Sequence, residues 1–367
     1  MKIISGYYMH KPGGFCKRLY RLLEALANAG HEVHYLSLDA ESLLSKNVCH
    51  HRLSFPVRAR SGLLFWFLFV IFYPIAVCVT ALRIGRPDKI VVFGAIYSAL
   101  FALTGTVLRV PLIVFVRSLV TKINVINRRS LVITWLSSLI ERLGLSLATR
   151  IVAMSATMKD ELIDEGASGE KIVLLSNEIP LPPQAFKRTE HRETARLSLL
   201  VAGVFDARKN TALVIKALER LEETQSGACT VIFAGCGPEV EVVRAYARKT
   251  SYHEVLCTGW VASLYPLFEL VDLYVHPALH EGVSNAVLEA LSAEVPVLVS
   301  DIPEHKELFS PPQWRFSAYD GSDLASRLAS YAATRDPLSD LARQQYEGAE
   351  HLRFAWAERA INLIQAG

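Results

Sequence analysis

The sequence predicts an α/β protein with two parallel-sheet domains, and three observations carry that prediction. Short apolar runs rich in β-branched residues alternate with helical patterns along the chain. They fall into two series, parted by the stretch Ile179 to Thr194, whose proline and charge content suits a hinge. At 367 residues the chain is also longer than one compact core accommodates.

The first series of strands is Lys2 to Ile4, Val33 to Leu36, Ile90 to Phe93, Leu112 to Val116, Arg150 to Ala153 and Ile172 to Leu175. Ser198 to Ala202, Thr230 to Ala234, Glu254 to Cys257, Leu273 to Val275 and Val295 to Val299 form the second. Between the first two strands, Gly13-Gly14 precedes a helical run from Lys17 to Ala29. Glycines there let backbone approach a ligand, or simply turn the chain. In the second series, Arg208-Lys209-Asn210 leads into the helical run that starts at Thr211, with Asn210 as its expected cap. Cations at a helix start are unfavourable unless an anion joins them, which a phosphate would do. Gly235-Cys-Gly237-Pro238 lacks the third glycine of a dinucleotide fingerprint and reads as a structural turn.

Chemistry is expected at the next turn. In His276-Pro-Ala-Leu-His-Glu281-Gly-Val-Ser-Asn-Ala-Val-Leu-Glu289, Pro277 and Gly282 end a buried strand, and Ser284 or Asn285 caps a helix. Free N–H groups at that start make an anion site. Glu289 lies four residues after Asn285 and on the same face, so two carboxylates flank the site. Taken alone, this spacing is far more often that of a capped helix with two solvated glutamates, and the flanking sequence is what shifts the reading. Residues His276, His280, His50 and His51 have no partners at metal-ligand spacing, although His280 borders the expected pocket. No Asp-x-Asp occurs, and no metal site is expected.

Charge is unevenly spread. Residues 1–150 hold 19 Lys plus Arg against 6 Asp plus Glu, whereas the remainder hold 20 against 30. A basic half suits anionic lipid headgroups or a phosphorylated acceptor. Nucleic acid is not expected, because no basic stripe is interleaved with exposed aromatics. The six cysteines are scattered, as in a reducing compartment. The start Met-Lys-Ile-Ile-Ser-Gly is too quickly polar for a signal peptide, so a cytoplasmic chain is expected.

Leu63 to Leu82 is uncharged over twenty residues and bracketed by Arg58, Arg60, Arg83 and Arg86. By length it fits a membrane span, a covered core helix or a helix lying in the membrane interface. An odd number of crossings would split the first series of strands between two sides of a bilayer. Being apolar all round, the helix exposes one face if the other packs on the sheet. The expected contact is therefore peripheral, at the inner face of the membrane.

The stretch Asp272 to Leu308, with Glu281-Gly-Val-Ser-Asn-Ala-Val-Leu-Glu289 followed by Val295-Pro-Val-Leu-Val-Ser-Asp-Ile-Pro-Glu304, resembles the donor site of the retaining GT-B glycosyltransferases of group 1, family 4. Lys11-Pro-Gly13-Gly14, Arg86-Pro-Asp88, Ile151 to Ser155, Ser176-Asn177, Ala202 to Asn210 and Gly235 to Glu239 fall in that family's order. The resemblance implies two Rossmann-like domains facing across a cleft, at 1–180 and 181–345, with 346–367 holding a helix that crosses back to the first. It implies transfer of a sugar from a nucleoside-diphosphate sugar to a glycan or lipid-linked acceptor, without a cofactor. Arg208, Lys209 and the backbone of Ser284 and Asn285 would take the diphosphate, Glu281 the sugar hydroxyls, Glu289 the ribose, and the backbone near Val261 the base. Gly14 would approach the donor from the first domain. Departures are Val204 where many members carry Arg, Arg117 at a usual His, Glu178 at a usual Gly, and Glu294 at a helix-ending Gly. Arg117 is the departure that bears on chemistry. Other readings of the same features are a sugar-nucleotide epimerase and a non-catalytic, membrane-associated protein of the same fold.

Overall fold

The computed structural model describes residues 1–10, 14–39, 44–56, 62–186 and 196–366, apart from the side chains of Leu63 and Asp336. Lys11 to Gly13, Arg58, Arg60 and the second half of the expected hinge lie outside them. The chain forms two compact units, Met1–Ser176 with Ala355–Gly367, and Asn177–Phe354. The divisions thus fall near, not at, the 180/181 and 345/346 boundaries read from the sequence.

In the first unit β1 (Lys2–Gly6), α1 (Gly14–Asn28), β2 (Glu32–Ser37) and β3 (Val48–Arg52) are followed by α2 (Leu63–Arg83) and β4 (Lys89–Phe93). Then come α3 (Ala95–Leu108), β5 (Leu112–Phe115), α4 (Val120–Ile126), α5 (Leu131–Leu147), β6 (Arg150–Ala153), α6 (Ala156–Asp164) and β7 (Ile172–Leu174). The strands make one parallel sheet in the order β3-β2-β1-β4-β5-β6-β7. β3, Val-Cys-His-His-Arg, was not expected as a strand. It is an edge, and its polar side chains are met by β2: His51 Nε2 lies 2.8 Å from His34 Nδ1, and His50 Nε2 lies 2.8 Å from Ser37 Oγ. The helices α2, α3 and α5 pack side by side. Gly144 allows the α3–α5 contact, since a Cβ there would stand 2.1 Å from the Ala95 carbonyl oxygen.

The second unit runs β8 (Leu197–Val204), α7 (Thr211–Thr224), β9 (Cys229–Cys236), α8 (Val240–Lys249), β10 (Glu254–Cys257), α9 (Tyr265–Phe268) and β11 (Leu273–His276). It continues through α10 (Asn285–Ser292), β12 (Val297–Ser300), α11 (Pro303–Leu308), β13 (Arg315–Phe316), α12 (Gly321–Ala333) and α13 (Asp336–Gly348). Its parallel sheet has the order β10-β9-β8-β11-β12-β13. The strand order reverses between β8 and β11, and ligands of open parallel sheets bind beyond the carboxyl ends of strands at such a point. The loops after β8 and β11 are those that carry Arg208, Lys209 and Glu281.

The last helix, α14 (Trp356–Ala366), belongs to the first unit and packs against α1. Trp356 is fully buried there, with the Arg18 guanidinium 4.7 Å from its ring centroid. Burying so large a side chain contributes about 3 kcal/mol.

Candidate active site

The site in the second unit grows from two strand ends. After β8 the chain turns through Asp206, whose Oδ1 accepts the Lys209 N–H at 3.0 Å. Gly203 sits at φ +144°, a backbone that favours glycine, with the Lys209 stem packed over it. The turn is pinned to β9 by Phe205 N–H donating to the Cys236 carbonyl at 2.9 Å. Gly235 and Gly237 permit that approach, because a Cβ on either would stand within 2.4 Å of a backbone oxygen. The glycine pair is thus structural, as expected.

Asn210 does not cap α7 with its side chain. It sits at φ +54° and its amide donates 2.9 Å to the Ala318 carbonyl instead, tying the basic loop to the turn after β13. The unfavourable cations at this helix start already have an anion, which is the chain's own Glu281. Arg208 Nη1 donates 3.2 Å to Glu281 Oε2, and Lys209 Nζ donates to the same oxygen. His276 Nε2 lies 3.6 Å from it. Burial opposes the charge on Glu281, but Lys209, His276 and Arg208 outweigh burial and hold the carboxyl well below the usual range. At Lys209 burial pushes the ammonium down, Glu281 pulls it back, and Arg208 adds to the depression. The two cations at one carboxylate decide the balance, and the cluster is an ion triad.

His276 is the residue that sequence reasoning missed. It ends β11, and burial with nearby Lys209 pushes it down to about 3, so the ring is neutral. Its Nδ1 meets Tyr274 Oη at 3.1 Å, leaving Nε2 toward Glu281. The only sequence signal was a His at a strand's carboxyl end beside Pro277. Glu304, also unassigned, is buried and accepts from His280 Nδ1 at 2.6 Å; the Glu281 backbone N–H also helps hold its carboxyl below the usual range. This pair fixes the loop that presents Glu281.

α10 begins beside the triad. Ser284 is its N-cap but makes no side-chain cap bond, and Asn285 is the first helical residue. Asn177 orders this start: its amide donates 2.8 Å to the Val283 carbonyl and 3.2 Å to Asn285 Oδ1. Glu289 follows one turn on, half-buried. Burial, then the carboxylates of Glu281 and Glu289, raise the Tyr274 phenol well above its ordinary value. Val261 lies in the loop after β10. Arg117 and Gly14 are in the first unit, two residues past the end of β5 and at the start of α1. The second unit therefore gathers Glu281, Lys209, Arg208, Ser284, Asn285 and Glu289 at neighbouring strand ends, while Arg117 and Gly14 stand at the carboxyl edge of the other sheet.

Two family profiles match this chain. "Glycosyl transferases group 1" covers residues 196–333 and "Glycosyl transferase 4-like domain" covers residues 13–178. The serotype-specific mannosyltransferase WbdA of Escherichia coli is 24% identical over 224 residues, 59% of this chain and 25% of that protein. The chain spans about a quarter of the length of the curated relatives it matches. Among solved structures, HepE of Anabaena in complex with UDP and glucose has a TM-score of 0.78 at 14% identity, covering 100% of both chains. WaaG, a glycosyltransferase involved in lipopolysaccharide biosynthesis, has a TM-score of 0.73 at 17% identity, also over 100% of both.

Proposed function

Starting from a chain that belongs to the group 1 glycosyl transferases and has the GT-B fold, we propose that it moves a hexosyl group from a nucleoside-diphosphate sugar to a lipid-linked or envelope glycan acceptor, with retention and without a metal. The observation that carries this reading is the convergence of Lys209 and Arg208 on one Glu281 oxygen beside the start of α10. A diphosphate arriving at that helix start competes for both cations. The carboxylate they leave is free to accept hydroxyls of the donor sugar. UDP and glucose bound in HepE, the part WaaG plays in lipopolysaccharide biosynthesis and the mannosyltransferase WbdA support the substrate class.

In the reaction the bond from the anomeric carbon to the diphosphate oxygen breaks as the acceptor oxygen bonds to that carbon. The acceptor proton passes to the departing phosphate on the same face. Charge grows on the diphosphate, and Lys209, Arg208 and the first N–H groups of α10 meet it; one such donor lowers the barrier by ~3 kcal/mol. Neutral His276 stands beside Glu281, its Nε2 3.6 Å from the carboxylate, without adding charge, and Glu289 takes the ribose hydroxyls. The loop at Val261 meets the base. Arg117 and Gly14 act from the first unit, Arg117 in the role of the family's usual His. The absence of an Asp-x-Asp motif from the sequence supports metal independence. The chain works at the cytoplasmic face of a membrane, with α2 as its peripheral contact.

Release of nucleoside diphosphate in the presence and absence of a lipid-linked glycan acceptor tests the reading, with EDTA added in a parallel arm. Acceptor-dependent, EDTA-resistant release is expected, and NMR of the product should show an unchanged anomeric configuration. Turnover that needs no acceptor would favour an epimerase, and nucleotide binding without turnover would favour a non-catalytic role.

A further inference from the structure

We infer that the membrane-docking surface is a platform of α2, α3 and the α4–α5 hairpin, and that the hairpin tip, Arg128 to Trp135, inserts into an anionic lipid bilayer. This rests on the peripheral contact proposed for α2 and widens it to elements outside residues 63–82.

The first observation is the pattern of exposure. One stripe of α2 (Phe65, Phe69, Tyr73, Val77 and Ala81) is buried in the first unit, with Tyr8 and Phe55 against Phe65 and Phe69, and Phe101 against Tyr73. A helix held by that stripe cannot leave the sheet to cross a bilayer, so its opposite side is a surface. That side is apolar, from Leu64 and Phe67 to Leu82. The apolar surface does not stop at α2. The outer side of α3 exposes Leu103 and Val107, and α5 exposes a row from Leu131 to Leu147. The most exposed of these begin α5: Leu131 is 87% exposed, Val132 66% and Trp135 64%. Apolar side chains this bare, in a row across packed helices, exceed ordinary surface scatter.

Charge selects the occupant. From Leu63 to Leu147 the acids are Asp88 and Glu141. Asp88 accepts the Lys2 backbone N–H at 2.7 Å. Glu141 is buried and accepts the N–H groups of Val120 and Thr121 at 2.7 and 3.0 Å, capping α4. Asp88 is exposed but engaged by the Lys2 N–H, Glu141 is buried, and Glu161 of α6 and the adjoining Glu165 pair with Lys122 and Arg142, so little unpaired negative charge opposes an anionic surface along this layer. Positive charge stands at its ends. Arg128 and Arg129 are exposed at the hairpin tip, immediately before Leu131. Arg109 ends α3 and Arg83 ends α2. Arg109 and Arg128 hold left-handed helix-ending positions, at φ +51° and +50°, where glycine is favoured. Arginines beside bare Leu, Val and Trp match a headgroup layer over acyl chains. The hairpin follows the carboxyl end of β5, so the insertion point lies at the sheet edge that carries Arg117. A lipid-linked acceptor would reach that edge from the bilayer.

Flotation of the full chain with phosphatidylcholine vesicles, with and without phosphatidylglycerol, tests this. The wild type should float with the phosphatidylglycerol vesicles alone, and added salt should weaken it. Val132→Glu/Trp135→Glu and Arg128→Gln/Arg129→Gln should each lower vesicle affinity on the order of tenfold or more. Thermal stabilisation by UDP, GDP or ADP, read in every variant, reports an intact second unit. If both hairpin variants float like the wild type while Phe67→Glu/Ile71→Glu does not, the inference is overturned and the α2 contact survives. Wild type that floats with neither vesicle overturns both, while nucleotide binding and transfer to a soluble acceptor analogue would still stand. A dimer seen by sedimentation, lost in the hairpin variants and unaccompanied by vesicle binding, assigns the surface to a second copy and also overturns it.

Discussion

Lys209 and Arg208 meet on one oxygen of Glu281, so the carboxylate both neutralises the site and competes with its ligand. Replacing it separates these roles. Glu281→Gln should bind a nucleoside diphosphate at least as tightly as the wild type, because two cations are freed, while transfer falls by about 100-fold or more. Calorimetric titration and initial rates measure the two effects, and parallel losses in both would contradict the competition. His276 sets a pH dependence beneath the same carboxylate. Its pKa falls from 6.5 to about 3 on folding, so between those values the unfolded chain holds the extra proton. Stability from this group is intact above pH 6.5 and declines as pH falls toward 3, by about 1.4 kcal/mol per pH unit. His276→Gln should flatten the acid limb of a denaturation-versus-pH series by one proton, and an unchanged slope would contradict the assignment. Glu281 and the basic pair were legible because their spacing to glycines and helix starts is local. His276 was not, because its contact with Glu281 follows from where the loop after β11 folds back.

At the scale of elements, strands read from unbroken β-branched runs were legible, since strands buried in a parallel sheet display apolar side chains on both faces. β3 and β13 escaped for opposite reasons. β3 is an edge whose histidines are satisfied by neighbours on β2, and β13 has two residues, Arg315 and Phe316. The expected cap at Asn210 failed because a partner distant in sequence, the Ala318 carbonyl, claims its amide. α10 ends in a turn where Val295 N–H reaches the Ala290 carbonyl and Glu294 N–H reaches that of Leu291, leaving Glu294 at φ +53°. This is the Glu seen in the sequence where a glycine is usual, and the left-handed backbone costs it about 1 kcal/mol. Glu294→Gly should therefore stabilise the second unit by up to ~1 kcal/mol in urea denaturation, with no effect on catalysis. A loss of stability would show that the side chain outweighs the strain.

The whole molecule is two units joined twice, since the chain returns to the first through α14. The return was legible as a terminal helix, but its anchor, Trp356 under Arg18, is a tertiary contact that the sequence does not display. Trp356→Ala should cost the first unit about 3–5 kcal/mol, lowering one calorimetric transition while leaving the nucleotide-dependent one in place. Loss of both together would mean that the units unfold as one. The central claim is that the second unit grips a diphosphate with Arg208 and Lys209 at the start of α10. Titration of UDP, GDP and ADP into the wild type and Arg208→Ala/Lys209→Ala tests it most directly. Binding of at least one nucleotide to the wild type, weakened by about 100-fold or more in the variant, is the result expected. Equal affinity in the two proteins, or no binding of any of the three, would contradict it.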